Sequence, residues 1–263
     1  MPRTSDPGGR PSLTFESMGT VVSLRLAGPA GDAGESVRRA AHAAARDTFR
    51  RWDERFSLYR ADSELSRIAR GDIRLTDASR ELRDCYALAL DWRDRTNGVF
   101  TPHRADGVLD LSGIVKALAI HEAGGVLAGL GLAGWSINGG GDILVGGRPT
   151  PGSDWMSGIV DPLHRGAVLA GVPQTGRMRA VATSGSAERG EHIWTALPGA
   201  PSPYRQVSVF AGDIVTADVI ATAIVAGGEK TLDESTDRWS IEVLAVLRDG
   251  RLLATPGLRR PAS

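Results

Sequence analysis

The chain has 263 residues, and its 31 basic and 31 acidic residues give a formal net charge of zero. This balance excludes a global field that draws the protein to nucleic acid or to an anionic membrane, and the length allows one large domain with a substantial core. The only cysteine, Cys85, lies among helix-forming residues and has no intramolecular partner for a disulfide. We therefore expect a buried structural thiol, and partners that are small or locally recognised.

The two ends of the chain differ in composition from its middle. The first residues are polar and rich in Pro and Gly, without the apolar core of a secretory signal. We predict a disordered leader over residues 1–12, one domain over 13–255 and a disordered tail over 256–263. The most hydrophobic window, TADVIATAIVAGG, is too short to cross a bilayer, and we expect a cytoplasmic protein.

Apolar runs and helical periodicities predict the elements in the first half of the chain. A β-branched run predicts a strand over 20–27, and apolar residues at helical spacing predict a helix over 35–56. A second helix is predicted over 75–92, capped by Thr76 or Asp77 and ended by Asn97-Gly98. The third helix is predicted over 116–130, where Gly129 and Gly131 suit a left-handed cap.

The second half of the chain mixes strands with one further helix. The apolar runs on either side of Asp249-Gly250 predict an antiparallel hairpin. Because strands and helices are mixed and at least one pair is antiparallel, we predict an α+β fold, a single domain with a bent mixed or antiparallel sheet flanked by helices. The remaining predicted elements are strands over 154–164, 177–185 and 205–211, and a helix over 214–225 capped by Asp213.

The stretch SINGGGDILVGG, residues 136–147, is unusually rich in glycine. Such a density is typical of a tight bend or of backbone that approaches a ligand closely. A run of free N–H groups can bind phosphate, but this one lacks the lysine and hydroxyl of a P-loop. The residues alone favour a structural bend.

Three short segments carry side chains that suit catalysis or metal binding. Asp218 and Thr222 lie four apart in a predicted helix, so both oxygens share one face and suit a hard cation such as Mg²⁺. The alternative is that Thr222 bonds to its own helix and Asp218 faces solvent. In VATSGSAERGEHI, His192 is a candidate general base or a surface residue of an exposed turn. In LDLSGIVKA, Asp110 either caps a helix or binds a ligand.

In their order along the chain, these segments resemble the ApbE family of FAD:protein FMN transferases, from about Thr14 to Val246. The most specific motifs are Thr-Ser-Gly followed by Glu-Arg and His, and Ala-Asp followed by Ala-Thr-Ala. The segments that carry the resemblance are SMGT, FSLYRADSELSRI, GVF with a following Pro, LDLSGIVKALAIHEAGGVL, NGGGDI, WMSGIVDP, VATSGSAERGEHI and SVFAGDIVTADVIATAIVAGG.

The resemblance implies a Mg²⁺-dependent enzyme that transfers FMN from FAD to a threonine of an acceptor flavoprotein and releases AMP. It implies metal ligands at the carbonyl of Gly113 and the side chains of Asp218 and Thr222, with His192 and Lys116 as catalytic residues. Asn138 to Asp142 would form a glycine corner that lines the FAD cleft. The implied cofactor-binding residues are Met18, Tyr59, Val99, Phe100, Thr101, Asp110, Lys116, Asn138, Gly140, Asp142 and Ser184.

The chain departs from the family pattern at several places. Thr101 stands where relatives usually carry aspartate, the loop over 103–109 differs from the common type, and Ala117 replaces a glycine. After His192-Ile193 the usual Asp-Pro is missing, which removes a carboxylate near the histidine. The sequence therefore leaves two alternatives to transfer: an FAD-binding protein without transferase activity, and a hydrolase that gives FMN and AMP.

Overall fold

The computed structural model describes residues 12–27, 32–164, 166–185 and 201–259. The strands are β1 (Leu13–Ser17), β2 (Thr20–Ala27), β3 (Gly134–Gly139), β4 (Asp142–Gly147), β5 (Trp155–Val160), β6 (Val168–Gln174), β7 (Ala180–Gly185), β8 (Tyr204–Ala211), β9 (Glu242–Leu247) and β10 (Leu252–Ala254). The α-helices are α1 (Asp32–Phe56), α2 (Glu64–Ala69), α3 (Arg80–Arg95), α4 (Ser112–Gly129) and α5 (Ile214–Arg238).

The main sheet has eight strands in the order β1-β2-β3-β4-β7-β8-β9-β10. Each neighbouring pair runs antiparallel. The strands β5 and β6 form a separate antiparallel pair. The α+β architecture with an antiparallel sheet, predicted from the sequence, is therefore confirmed, as is the hairpin that β9 and β10 form.

The two faces of the main sheet are covered by different layers. Side chains alternate along a strand, so Val207 and Val209 of β8 pack in the core that contains the helices. Phe210, the residue after Val209, packs on the other face with Ile159 and Val172 of the β5-β6 pair. Helix α4 lies between α1 and α5 and contacts both. It is apolar around most of its circumference because it is buried between these neighbours.

The predicted helices are present, but three of their boundaries differ. The segment Leu75–Asp77 is a 3₁₀ turn, and α3 begins after Ser79, whose hydroxyl accepts from the Leu82 N–H at 3.2 Å. The caps predicted at Thr76 or Asp77 are therefore wrong, because Ser79 meets the same need closer to the apolar face. Helix α4 begins at Ser112, earlier than predicted. Helix α5 continues past the predicted end to Arg238, across a kink at Gly228.

Several ordered segments were not predicted. These are β1, β3, β4, β6 and α2, which are short or interrupted by Gly and Pro, so their periodicity is weak. Pro256–Leu258 forms a 3₁₀ turn, and Leu258 packs beside the smaller core, so the disordered tail predicted from residue 256 is wrong for these residues. Of the leader predicted over 1–12, residues 1–11 lie outside the described residues. Across the described ranges, no helix combines the length and apolar character that a membrane span needs.

The single cysteine is buried on α3, as predicted. Cys85 is 4% exposed, and burial raises the pKa of its thiol to about 12. We expect the native protein to be inert towards a thiol reagent such as DTNB at pH 8, and to react fully when it is unfolded. The unfolded thiol ionises at a lower pH than the folded one, so this thiol's contribution to stability is present below about pH 9 and is lost as the pH rises towards 12.

Chemical denaturation at several pH values measures this contribution. The Cys85→Ala variant is the control, because it keeps every other group that titrates in alkali. Its free energy of unfolding should fall less steeply between pH 9 and 11 than that of the wild type. Equal slopes for the two proteins, or rapid DTNB labelling of the folded wild type, would contradict the assignment.

Candidate active site

Two tight turns lie side by side at one end of the main sheet. Met18 and Gly19 join β1 to β2, and Gly140 and Gly141 join β3 to β4; all four have positive φ, as type I′ hairpin turns require. The Gly140 N–H donates to the Val21 carbonyl at 3.3 Å, which links the two turns. The Gly141 N–H donates to Asn138 Oδ1 at 2.9 Å. The glycine-rich stretch is therefore a hairpin bend, which confirms the structural interpretation made from the residues alone.

The first residue of β4, Asp142, is the best-enclosed charged group at this end of the sheet. It is 0% exposed, and its Oδ2 lies 2.5 Å from Nζ of Lys116 on α4. Its Oδ1 accepts from the backbone N–H of Thr183 on β7 at 3.1 Å. Lys116 and Asp142, both of them predicted site residues, therefore form an ion pair with each other. The Asp142 carboxylate thus binds other protein groups in this structure, and its predicted contact with the nucleotide stays a prediction.

The predicted metal-ligand pair on α5 faces the end of β7. Asp218 is buried at 5% exposure, and Thr222 follows one helical turn later. The Thr222 hydroxyl and the Ser184 hydroxyl lie 3.1 Å apart. The alternative interpretation, in which Asp218 faces solvent and Thr222 bonds to its own helix, is therefore wrong. The structure instead brings the two hydroxyls together between α5 and β7, while the buried Asp218 lies one helical turn before Thr222.

The segment that contains Val99, Phe100 and Thr101 is wedged between α4 and α5. A Cβ placed on Gly113 would lie 3.0 Å from Cε2 of Phe100, so the ring covers the first turn of α4. A Cβ placed on Gly227 of α5 would lie 2.8 Å from a methyl group of Val99. Phe100 is buried at 5% exposure, and its packing explains its presence without a ligand.

Asp110 precedes the N-cap residue of α4, Leu111, so it supports the start of the helix from outside the cap position. Its Oδ1 accepts from the Ser112 N–H at 2.9 Å, where α4 begins. Tyr59, in the loop that follows α1, is 94% exposed, and Met18 is half-buried in its turn. The ligand contacts of these residues remain predictions. His192 lies outside the described residues.

The donor set of Asp218 and Thr222 suits Mg²⁺ better than a transition metal. All of its atoms are oxygens, and Mg²⁺ binds through one or two carboxylates while water and phosphate oxygens complete its octahedron. Among the described residues, no three His, Cys, Asp or Glu side chains cluster in a way that could hold a metal. A sparse oxygen site of this kind does not require such a cluster, and the predicted set contains one carboxylate only.

Sequence reasoning missed two contacts that organise the site. Thr183 supplies the N–H that holds Asp142, and its own hydroxyl lies 2.8 Å from that of Ser208 on the opposite face of the sheet from Ser184. Side chains alternate between the two faces of a strand, so the sequence alone indicates that Thr183 and Ser184 of β7 face opposite sides of the sheet. The pairing of Phe100 with Gly113 has no sequence signal, since it joins segments that meet only in the folded chain.

The sequence matches the ApbE family over residues 18–106 and 103–245, which together span most of the chain. No curated protein matches the sequence.

Solved structures from three bacteria share the fold. The apbe protein from Thermotoga maritima has a TM-score of 0.76 at 18% identity, with 95% of this chain and 99% of that one covered. The flavin transferase ApbE from Vibrio cholerae has a TM-score of 0.74 at 20% identity, with 94% and 97% covered. The flavinyl transferase ApbE from Pseudomonas stutzeri, in its apo form, has a TM-score of 0.74 at 19% identity, with 93% and 95% covered. Identities this low establish the fold alone, whereas the family match extends over most of the sequence, and the chain belongs to the ApbE family.

Proposed function

We propose that this chain is a Mg²⁺-dependent transferase that moves the FMN moiety of FAD to a threonine hydroxyl of an acceptor flavoprotein and releases AMP. The observation that carries the proposal is the buried carboxylate of Asp218, one helical turn from Thr222, whose hydroxyl meets Ser184 at the end of β7. The names of two similar proteins, from Vibrio cholerae and Pseudomonas stutzeri, describe flavin transferases and support the same reaction.

In this proposal Asp218, Thr222 and the Gly113 carbonyl would hold Mg²⁺, which would supply positive charge to the oxygens of the FAD diphosphate. Phosphoryl transfer depends mainly on alignment and on such charge, and little covalent help from the protein is needed. A buried carboxylate suits this task because the low local dielectric strengthens its attraction for the cation.

The chemical step exchanges one P–O bond for another. The threonine oxygen of the acceptor attacks the phosphorus of the FMN half, and the bond from that phosphorus to the bridging oxygen breaks. AMP leaves with the bridging oxygen. His192 takes the threonine proton as the new bond forms, a role we assign from the family motif. Lys116, which remains paired with Asp142, holds its ammonium group near the start of α4.

The departure after His192 is the specific observation that favours a second candidate function. Trp194 and Thr195 stand where relatives carry Asp-Pro, so no carboxylate follows the histidine directly. If that carboxylate normally orients the histidine, its absence leaves the threonine hydroxyl without an effective base, and the chain binds FAD and Mg²⁺ without transfer. Hydrolysis of FAD to FMN and AMP, with water in place of the threonine, would use the same site and is the remaining alternative. FAD and an acceptor protein are the partners of the first candidate; the cytoplasmic location stays a prediction.

One assay distinguishes the three functions. The purified protein is incubated with FAD and Mg²⁺, with threonine-centred peptides or with the same peptides carrying alanine, and AMP and peptide mass are followed. Transfer predicts AMP and a peptide heavier by the FMN moiety only when threonine, FAD and Mg²⁺ are all present. AMP without any peptide identifies a hydrolase. Tight FAD binding without AMP in every condition, including those with a flavoprotein acceptor, contradicts both enzyme functions.

A further inference from the structure

Asp142 is a buried carboxylate that joins three elements of the candidate site. It is 0% exposed, and its oxygens bind other protein groups. One oxygen lies 2.5 Å from Lys116 Nζ on α4, and the other accepts from the Thr183 N–H on β7 at 3.1 Å. We propose that Asp142 is a positioning residue, which fixes the start of α4 against the end of β7 so that the candidate metal ligands stay in register. This role rests on the proposed transferase function.

Asp142 contacts two segments, and each segment lies next to one of the predicted metal ligands. Lys116 and Gly113 lie within one turn of α4, and a helical turn is rigid, so the ion pair fixes the position of the Gly113 carbonyl as well. Thr183 directly precedes Ser184, whose hydroxyl lies 3.1 Å from that of Thr222 on α5. The Asp142 carboxylate therefore links the two predicted ligands. It reaches the Gly113 carbonyl through Lys116, and it reaches Thr222 through Thr183 and Ser184.

The chemistry of Asp142 explains why a charged residue is used at this position. A buried carboxylate without a partner is strongly unfavourable, and the Lys116 ammonium together with the Thr183 N–H satisfies it. A neutral amide keeps the acceptor for Thr183 but removes the negative charge that attracts the Lys116 ammonium. The ion pair therefore holds α4 more firmly than a neutral hydrogen bond would. Partners that orient metal ligands from outside the coordination sphere typically change metal affinity by about 10–100-fold when they are lost.

The experiment measures the Mg²⁺ response of the Asp142→Asn variant in two independent ways. The first is the Mg²⁺ concentration that gives half-maximal AMP release, and the second is the rise in melting temperature that Mg²⁺ causes in the presence of FAD, which needs no turnover. We expect the half-maximal concentration to increase by about 10-fold or more. We expect saturating Mg²⁺ to restore most of the AMP release that is lost at low Mg²⁺, because excess metal fills a site whose affinity has fallen.

Two further variants keep the test decisive. Glu122→Gln removes another ion pair of α4, in which Glu122 Oε1 lies 2.7 Å from Arg51 of α1, at a position far along the helix from Gly113. This control should leave the half-maximal Mg²⁺ concentration within about twofold of the wild type. The double variant Asp142→Asn with Lys116→Met removes both charges of the ion pair, and it replaces the single variant in the thermal measurement if Asp142→Asn alone does not fold.

The outcomes separate the two proposals. If the wild type responds to Mg²⁺ and a folded Asp142→Asn variant responds equally in both measurements, the positioning role is wrong while the transferase function stands. A weakened response in Glu122→Gln of the same size would also overturn it, because any loosening of α4 would then suffice. If the wild type itself shows neither Mg²⁺-dependent AMP release nor Mg²⁺-induced stabilisation, the proposed function fails and the positioning role fails with it.

Discussion

The Asp218→Asn variant is expected to lose Mg²⁺-dependent AMP release by a factor on the order of 10³ while it keeps its fold. Asp218 is the one carboxylate of the predicted ligand set, and it is buried at 5% exposure. Asparagine has nearly the same shape, so packing is preserved, but its neutral oxygen attracts a divalent cation far less strongly. Steady-state AMP release across a range of Mg²⁺ concentrations measures the loss, and circular dichroism verifies the fold.

The matched control is Asp237→Asn on the same helix. Asp237 is exposed in the last turn of α5, so its replacement changes the helix charge by the same amount without touching the site. Turnover of this control should equal that of the wild type. If Asp218→Asn retains wild-type turnover at low Mg²⁺ concentration, the assignment of the metal to α5 is wrong.

Thr222 allows the same assignment to be tested with a smaller change. Replacing Thr222 by Val keeps the volume of the side chain and removes the hydroxyl that meets Ser184 at 3.1 Å. Thr222→Ser retains that hydroxyl. If the hydroxyl binds the metal, Thr222→Val should require more Mg²⁺ for half-maximal turnover and Thr222→Ser should behave like the wild type. Equal losses in both variants would indicate that packing of the Thr222 methyl group matters instead.

The elements that the sequence predicted well are those with strong periodicity. Helix α1 repeats its apolar residues at helical spacing, and Ala41, Ala45 and Phe49 are all fully buried. The β9-β10 hairpin was signalled by two apolar runs around Asp-Gly. By contrast, β6 carries Gly171 and Pro173 within seven residues, and such residues mask the strand pattern. Its pairing with β5 decides its conformation, and a pairing of this kind is not visible in a local window.

Sequence reasoning likewise found only part of the candidate site. Asp218 and Thr222 were found because their spacing on a helix places them on one face, and the burial of Asp218 agrees with that reasoning. The ion pair between Lys116 and Asp142 was not found, because nothing in either segment indicates that α4 will rest against the start of β4. The family resemblance assigns both residues to the ligand, and that assignment stays a prediction. Folding places their charges against each other, since two buried opposite charges are most stable as neighbours.

The Gly140→Ala variant is expected to be less stable than the wild type by about 2–4 kcal/mol. Gly140 has a φ of 64°, and a Cβ there would lie 2.5 Å from Oγ1 of Thr20. The backbone conformation is unfavourable because alanine rarely adopts positive φ. The contact with Thr20 is unfavourable because the adjoining turn must move to make room. For a chain of this size, the loss corresponds to a melting temperature lower by about 5–15 °C. Chemical denaturation gives the free energy of unfolding directly.

Two companion variants divide this loss into its causes. Gly19→Ala has nearly the same backbone conformation, with φ of 70°, but no atom lies within 4 Å of its added Cβ, so it should cost only about 1 kcal/mol. Combining Gly140→Ala with Thr20→Ala removes the clashing hydroxyl, and the coupling free energy between the two positions should be at least about 1 kcal/mol. Equal costs for Gly140→Ala and Gly19→Ala would show that the hairpins relax around the extra methyl group.

These stability measurements also decide between the two reasons for the glycine corner. The family resemblance implies that Gly140 is bare to admit FAD, whereas the turn geometry and the contact with Thr20 already require glycine without any cofactor. If the backbone is the reason, the double variant with Thr20→Ala should regain stability and FAD binding together, as measured by the change in flavin fluorescence. If the cofactor is the reason, a variant that regains its stability will still bind FAD weakly, because the added methyl group then occupies space that the nucleotide needs.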